Sequence, residues 1–275
     1  MADFSGAKYD GDFSLSLEEA QRRKHEYVAR SVRISEGRRV IDLGCGWGPM
    51  LGFIRSTGAT GIGLTLSSAQ ADACRRNGLD GRLQDVRTLS GDTFGPFDAA
   101  VSLGAFEHFC SPEEFQAGEQ DTVYADLFSR VADVLPRGGR FFLQTMAFGR
   151  NMIPTDEVSV DAPRDSDAWY LGLMSKQFPG SWLPSSKEQI IRTAGPHFRV
   201  VSEENGRLDY IETIRQWRKR FAAPSPRKLL YKVSLLPSFL TSEDFRLAFT
   251  SGVSANSVCF ERELLDHWRL VFEKT

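Results

Sequence analysis

The segment VIDLGCGWG, residues 40–48, constrains the fold more than any other stretch: a short apolar run stops at alternate glycines and opens into a helical pattern. Such a run reads as a buried strand. The glycines permit a tight turn and leave no Cβ between the backbone and a ligand. The motif then repeats in outline. ATGIGLTL (59–66), RLQDV (82–86), FDAAVSLGA (97–105) and GRFFLQTMA (139–147) read as further strands. Helical segments separate them: one running to about Thr57, one over 67–78 with a Ser start and a Gly stop, and one over 113–135 ended by Pro136 and Gly138–Gly139. An amphipathic helix over 17–33 precedes the series. Strands alternating with helices predict a parallel sheet covered on both faces.

The alternation lapses after residue 147. Residues 148–184 read as irregular and aromatic-rich, a helix (186–194) and strand (198–203) follow, and 205–250 form a second irregular or helical insertion. The final segment, HWRLVFEK (267–274), places Trp268, Leu270 and Phe272 on one face of a last strand. The expected fold is therefore a Rossmann-like, seven-stranded, doubly wound α/β sheet in one domain over 1–275. Within it, 1–36 form an N-terminal cover, 37–147 the cofactor-binding core, 148–184 and 205–250 a lid inserted after the fifth and sixth strands, and 251–275 a return to the core. Ligands of open α/β sheets bind at the carboxyl edge, where both insertions start.

Composition excludes several classes. A net charge of −2 gives no global attraction to nucleic acid or anionic lipid. No apolar run approaches ~18 residues, so no transmembrane helix is expected, and the first residues lack a signal-peptide pattern. Cys45, Cys74, Cys110 and Cys259 are scattered without CxxC pairing and the four histidines are dispersed. This argues against a disulfide framework or metal site and fits a reducing cytoplasm.

The glycine loop reads GxGxG with Asp42 ahead of it, not the GxGxxG of a dinucleotide fold. The second strand ends in Thr65-Leu66-Ser67, with no carboxylate for a nicotinamide ribose. Both features favour S-adenosylmethionine over NAD.

With these motifs in view, the chain resembles the cyclopropane-fatty-acid synthase and mycolic acid cyclopropane synthase family of class I methyltransferases. The matching stretches are LEEAQ (17–21), VIDLGCGWG (40–48), GLTLSSAQ (63–70), RLQDVRTL (82–89), SLGAFEHF (102–109), FPGSWLP (178–184) and Tyr210-x-x-Thr213-x-x-x-Trp217, in family order. The resemblance implies that Gly44 and Gly46 face the methionine end of the cofactor and that Ser5 and Asp42 also belong to its site. It places Thr65, Leu66 and Gln70 at the ribose and Gln84 and Asp85 beside the adenine. It also implies methylation of an alkene carbon, followed by proton removal that closes a cyclopropane or leaves a branch. In the family a bicarbonate held by a Glu, a Tyr, a His and backbone groups takes that proton. Glu107 matches the Glu, Tyr210 the Tyr, and the Leu103 backbone the strand end. Phe106, Trp182 and Trp217 offer ring faces for cationic charge, and core packing for either tryptophan is as good a reading.

Three departures bear on that carry-over. The family His is replaced by Gln144, which hydrogen-bonds but carries neither charge nor proton. The family's YSCAYF segment corresponds loosely to residues 4–9, and the chain starts there, implying a more open acyl pocket. Residues 215–232 hold seven basic residues, Arg215, Arg218, Lys219, Arg220, Arg227, Lys228 and Lys232, and no acidic one. A solvated face is the plain reading of that run. Docking to an anionic membrane surface, peripherally, or to an acyl carrier protein is the sharper one, and no nucleic-acid module is recognisable. The expected activity is S-adenosylmethionine-dependent C-methylation of an unsaturated acyl or lipid-like substrate. Methylation of a small-molecule carbon or nitrogen, and a non-catalytic cofactor-binding role, are the alternatives.

Overall fold

A computed structural model describes residues 2–225, 231, 234–242, 245 and 253–275. The chain divides into two compact units, the first Met1–Ala147, Gly180–Gly206 and His267–Thr275, the second Phe148–Pro179 and Arg207–Asp266.

The first unit carries the sheet. Its strands are β1 (Arg39–Leu43), β2 (Thr60–Thr65), β3 (Asp80–Leu83), β4 (Ala99–Leu103), β5 (Arg140–Phe148), β6 (Phe198–Asn205) and β7 (Leu265–Lys274), ordered β3-β2-β1-β4-β5-β7-β6. β1 pairs in parallel on both sides, Ile41 lying opposite Ile62 of β2 and Ala100 of β4. The chain runs outward from β1 to β3, then returns to the far side of β1 to begin β4. The carboxyl ends of β1 and β4 thus flank the point where strand order reverses, the crevice in which such sheets bind ligands.

Alternation along the strands sends residues to two cores. Ile41, Leu43, Ala100, Phe141, Leu143, Leu270 and Phe272 join one cluster, while Val40, Ala99, Val101, Phe142 and Val271 join the other. Helix α6 (Gln120–Asp133) covers the first face through Phe128, whose ring meets Phe272 at 5.4 Å and Phe141 and Phe198 each at 6.1 Å. Each such ring contributes about 1.5–3 kcal/mol on burial. Helices α1 (Leu17–Ser31) and α2 (Pro49–Ser56) cover the second face. α1 starts at a Ser16–Glu19 capping box. Its buried stripe recurs at helical spacing, Leu17, Ala20, Gln21, Lys24, His25 and Val28, so three polar residues lie on the inward face.

Several elements depart from the sequence expectation. The helix expected over 113–135 is two, α5 (Pro112–Gln116) and α6, because Gly118 takes a left-handed φ of 75° between them. The strand expected at 82–86 is β3, ending at Leu83, after which Asp85 caps a short 3-10 turn over Val86–Thr88. β7 starts earlier than expected and runs antiparallel to β6. Both its faces are covered, Leu270 and Phe272 on one and His267, Arg269 and Val271 on the other.

Of the stretch 148–184, residues 148–179 fall in the second unit and are less irregular than expected. They contain helix α7 (Asp167–Gln177), N-capped by Ser166. The unit also holds α9 (Arg207–Ala222) and a helix over Val253–Glu261, and it reaches Asp266, where the sequence expected a return to the core from residue 251. Helices α3 (Ser68–Arg76), α4 (Gly91–Phe94) and α8 (Lys187–Ala194) complete the first unit.

Candidate active site

At the switch point a cleft of about 160 Å³ is lined by Asp42, Gly44, Gly46, Trp47, Gln70, Leu103 and Gly104, with Asp3, Phe4 and Ser5 of the N-terminal segment. The glycine loop shapes its floor. Gly44 has φ 89°, and a Cβ there would meet the Ala105 Cβ at 2.2 Å, so only glycine fits. The Gly44 and Cys45 N–H groups both donate to the Leu64 carbonyl, at 3.0 and 2.9 Å. Gly46, at φ 54°, differs: a Cβ built on it would meet no atom within 4 Å. That side of Gly46 is open to an incoming group.

Asp42 is 2% exposed, and among the described residues its Oδ1 has no hydrogen-bond partner. Burial pushes its pKa up to about 7 against the opposing charge of Lys24. Thr65 Oγ1 donates to Gln70 Oε1 at 2.6 Å and accepts from the Ser67 N–H at 3.2 Å, fixing the turn that turns Gln70 toward the cleft. Leu66 is 74% exposed at the end of β2. Gln84 donates to Thr88 Oγ1 and Asp85 accepts from the Arg87 N–H. The structure therefore brings Ser5, Asp42, Gly44, Gly46, Gln70 and Leu103 to one cleft and links Thr65 to it through Gln70. Leu66, Gln84 and Asp85 follow the neighbouring strand ends outside its lining.

The N-terminal segment is anchored by groups that motif reading passed over. The Lys24 ammonium, fully buried on α1, donates to Asp3 Oδ2 (2.7 Å), Ser5 Oγ (2.6 Å) and Gln21 Oε1 (2.6 Å). Gln21 Nε2 donates to the Ser5 carbonyl at 2.8 Å. Burial acts to raise the Asp3 pKa, but Lys24 and His25 together outweigh it and hold the carboxyl below its usual range. The signal was present as polar residues at inward helical positions; their partners lie 16–21 residues upstream and could not be read from spacing.

Glu107 sits just beyond β4 on a 3-10 turn, Phe106–His108, and is 3% exposed. Its Oε1 accepts from the Met146 N–H at 2.9 Å; its Oε2 is buried with no hydrogen-bond partner among the described residues. Burial pushes its pKa up to about 7, opposed by its own N–H, the Met146 N–H and the Thr145 hydroxyl. Phe106 holds the turn down by stacking on Tyr124 at 4.5 Å. The His108 ring bonds Ser181 Oγ at 2.7 Å. Trp182 stacks on Phe115 at 4.4 Å.

Gln144 is fully buried, and its amide is engaged elsewhere than Glu107. Nε2 donates to the Gly6 carbonyl at 3.1 Å and Oε1 accepts from Arg269 Nε at 3.2 Å. Arg269, also fully buried, donates to the Ala7 carbonyl at 2.7 Å and to Glu204 at 2.5 Å. Tyr210 belongs to the second unit, on α9, with its ring edge-on to Phe260 at 4.8 Å and to Trp217 at 6.1 Å. Arg215, Arg218, Lys219 and Arg220 are exposed on the same helix, whereas Arg227, Lys228 and Lys232 lie outside the described residues.

Two buried carboxyls with raised pKa values make stability pH-dependent. For Glu107 the folded value is about 7 against 4.5 for the free group. As pH rises through that window the unfolded chain sheds its proton first, so stability falls and stays lower above the window. Glu107→Gln keeps the acceptor for Met146 and removes the charge. At pH 8 it is expected to unfold later than the wild type by about 3 kcal/mol, the shift converted at 1.36 kcal/mol per unit, with the gap closing near pH 4. Thermal melts at both pH values check this.

A seven-stranded, mostly parallel sheet with a glycine-floored cleft at its switch point defines a Rossmann-like α/β protein of the class I methyltransferase fold. The chain belongs to the mycolic acid cyclopropane synthetase family, whose model matches residues 1–236. It is 29% identical over 264 residues to the cyclopropane-fatty-acyl-phospholipid synthase of Escherichia coli K12, an alignment covering 94% of this chain and 59% of that protein. It therefore spans less than two thirds of that relative's length. Cyclopropane mycolic acid synthase 2 of Mycobacterium leprae is 31% identical over 219 residues, 74% of this chain and 67% of that one. The solved structure of mycolic acid cyclopropane synthase CmaA1 complexed with SAH and CTAB superposes with a TM-score of 0.77 at 23% identity, covering 99% of this chain and 90% of that one.

Proposed function

We propose that this chain is an S-adenosylmethionine-dependent C-methyltransferase acting on the double bond of an unsaturated acyl lipid. One observation carries the reading: β4 delivers both Leu103 and Gly104 to the cofactor cleft and, three residues on, a buried carboxylate with one unpaired oxygen. The family's named members supply the substrate class, a fatty-acyl phospholipid in one and a mycolic acid in the other.

The residues fit the cofactor. Gly46 leaves space for its approach, and β2 ends without a carboxylate for a nicotinamide ribose. The cleft is smaller than the ~300–1,000 Å³ that encloses a whole drug-sized ligand, so it takes the amino-acid end, with Thr65, Leu66, Gln84 and Asp85 along the rest. When bound, the cofactor supplies an electrophilic methyl group. Gly44 and Gly46 bring the backbone close, Gln70 orients the ribose, and the anchored Asp3–Ser5 segment excludes water. Glu107 serves the proton removal that follows methylation. Tyr210 shares that task on sequence resemblance alone.

The test is methyl transfer from labelled S-adenosylmethionine to phosphatidylglycerol vesicles with monounsaturated chains. Label is expected in these lipids and not in saturated ones; equal labelling of both removes the reading.

The exposed basic end of α9, Arg218, Lys219 and Arg220 beside exposed Phe221, is proposed to dock anionic membrane. No helix among the described residues is long and apolar enough to cross a membrane. Reversing the three charges to Glu is expected to weaken vesicle binding at least about a hundredfold at low salt, at about 1 kcal/mol per charge near the surface, and less at high salt. Unchanged vesicle sedimentation returns this stretch to a solvated face, and lost binding to an acidic acyl carrier alone makes that carrier the partner.

A further inference from the structure

Resting on the reading above, we infer that Glu107 is itself the base that accepts the proton, and that this chain works without the bound bicarbonate its family resemblance implies. The donor set does not fit the anion. Gln144, standing where the family has a His, spends its amide on the Gly6 carbonyl and on Arg269. Turning it toward an anion would strand a carbonyl and a guanidinium N–H in a fully buried place, costing about 1–3 kcal/mol each. Arg269, the buried cation next to it, is committed to Gln144, Ala7 and Glu204.

Among the described residues of the first unit, little beside Glu107 compensates a second negative charge. Its own turn offers its backbone N–H, and β5 offers the Met146 N–H and the Thr145 hydroxyl. From α6 comes Tyr124, whose phenol burial holds in its neutral form, with nearby Cys110 and the Glu107 charge pushing the same way. Among the described residues no cation forms an ion pair with Glu107. Two anions at such a site raise each other's pKa until one is neutral. A single carboxylate, pinned through Oε1 with Oε2 free, is the arrangement of a general base.

The step balances. The alkene π pair forms the new C–C bond as the sulfonium C–S bond breaks, leaving a neutral thioether and a carbocation. Glu107 Oε2 takes a proton either from the newly attached methyl carbon, whose C–H pair closes the ring onto the cationic carbon, or from a chain carbon next to the cation, whose C–H pair forms a double bond. The neutral acid then releases its proton to water.

Three measurements on the full chain test this. With ¹³C-bicarbonate and S-adenosylhomocysteine, ¹³C NMR is expected to show free bicarbonate only; a bound resonance lost in Glu107→Gln overturns the inference. The infrared difference between wild type and Glu107→Gln is expected to show a protonated carboxyl band that fades as pH rises through about 7, with or without bicarbonate; a bicarbonate-dependent midpoint overturns it. Methyl transfer to monounsaturated phosphatidylglycerol vesicles is expected to keep within about twofold when the buffer is stripped of bicarbonate, whereas a loss of about tenfold or more restored by bicarbonate overturns it. No transfer in either buffer sinks the functional reading instead, and the two spectroscopic results, which need no turnover, stand apart from it.

Discussion

Glu107→Gln is expected to lower turnover about a thousandfold, within the 10²–10⁴ range of general-base losses, while leaving S-adenosylhomocysteine affinity unchanged. The amide keeps its acceptor for the Met146 N–H, so the turn over Phe106–His108 keeps its shape. What goes is the proton-accepting capacity of Oε2. In the wild type kcat/KM should rise with pH through about 7, because only the ionised carboxylate of the free enzyme accepts a proton. The same substitution stabilises the fold above that pH, so loss of activity with a raised melting point is a signature that unfolding cannot imitate. A variant with near-normal turnover would remove Glu107 from the chemistry.

Gly46→Val should abolish cofactor binding. An added side chain projects into the space where no atom lies within 4 Å, which is where the proposed function has the cofactor approach. The left-handed φ of 54° costs about 1–2 kcal/mol for a non-glycine residue, which a domain of this size survives. Calorimetry with S-adenosylhomocysteine should therefore show at least about a hundredfold weaker binding, or 2.7 kcal/mol, in a folded protein. Gly44→Ala is the contrasting case, since its Cβ would strike Ala105 and unsettle the loop itself. Retained affinity in a folded Gly46→Val protein would move the cofactor away from this loop.

Much of this was legible in the sequence because it depends on local rules. Strand runs ending in glycine, helix caps and alternation predict the sheet and the cleft with its Asp42, Gly44 and Gly46. The family match agrees with the resemblance carried by GLTLSSAQ and SLGAFEHF. What escaped depends on partners distant in the chain. Helix α7 buries Trp169, Leu171, Leu173 and Met174, a run without the 3.6-residue spacing that marks a helix. β7 hides Arg269, whose burial is intelligible only once Gln144, Glu204 and Ala7 surround it. Nothing in the residues around Lys24 announces its buried pairing, which depends on Asp3 and Ser5 some twenty positions upstream. The replacement of a His by Gln144 was visible in the sequence; that its amide ties down the N-terminal segment was not. Tyr210, in the other unit, is a candidate on sequence pattern alone.

The central claim, methyl transfer to an alkene carbon followed by proton removal, is tested most directly with S-adenosylmethionine carrying a trideuterated methyl group. The full chain is incubated with monounsaturated phosphatidylglycerol vesicles and the acyl chains are weighed by mass spectrometry. Label is expected on the unsaturated chain alone, with two deuteriums retained if the ring closes and three if a proton leaves a chain carbon to give a branch. Label on a headgroup or on saturated chains, or none on any chain while the cofactor binds, would contradict it.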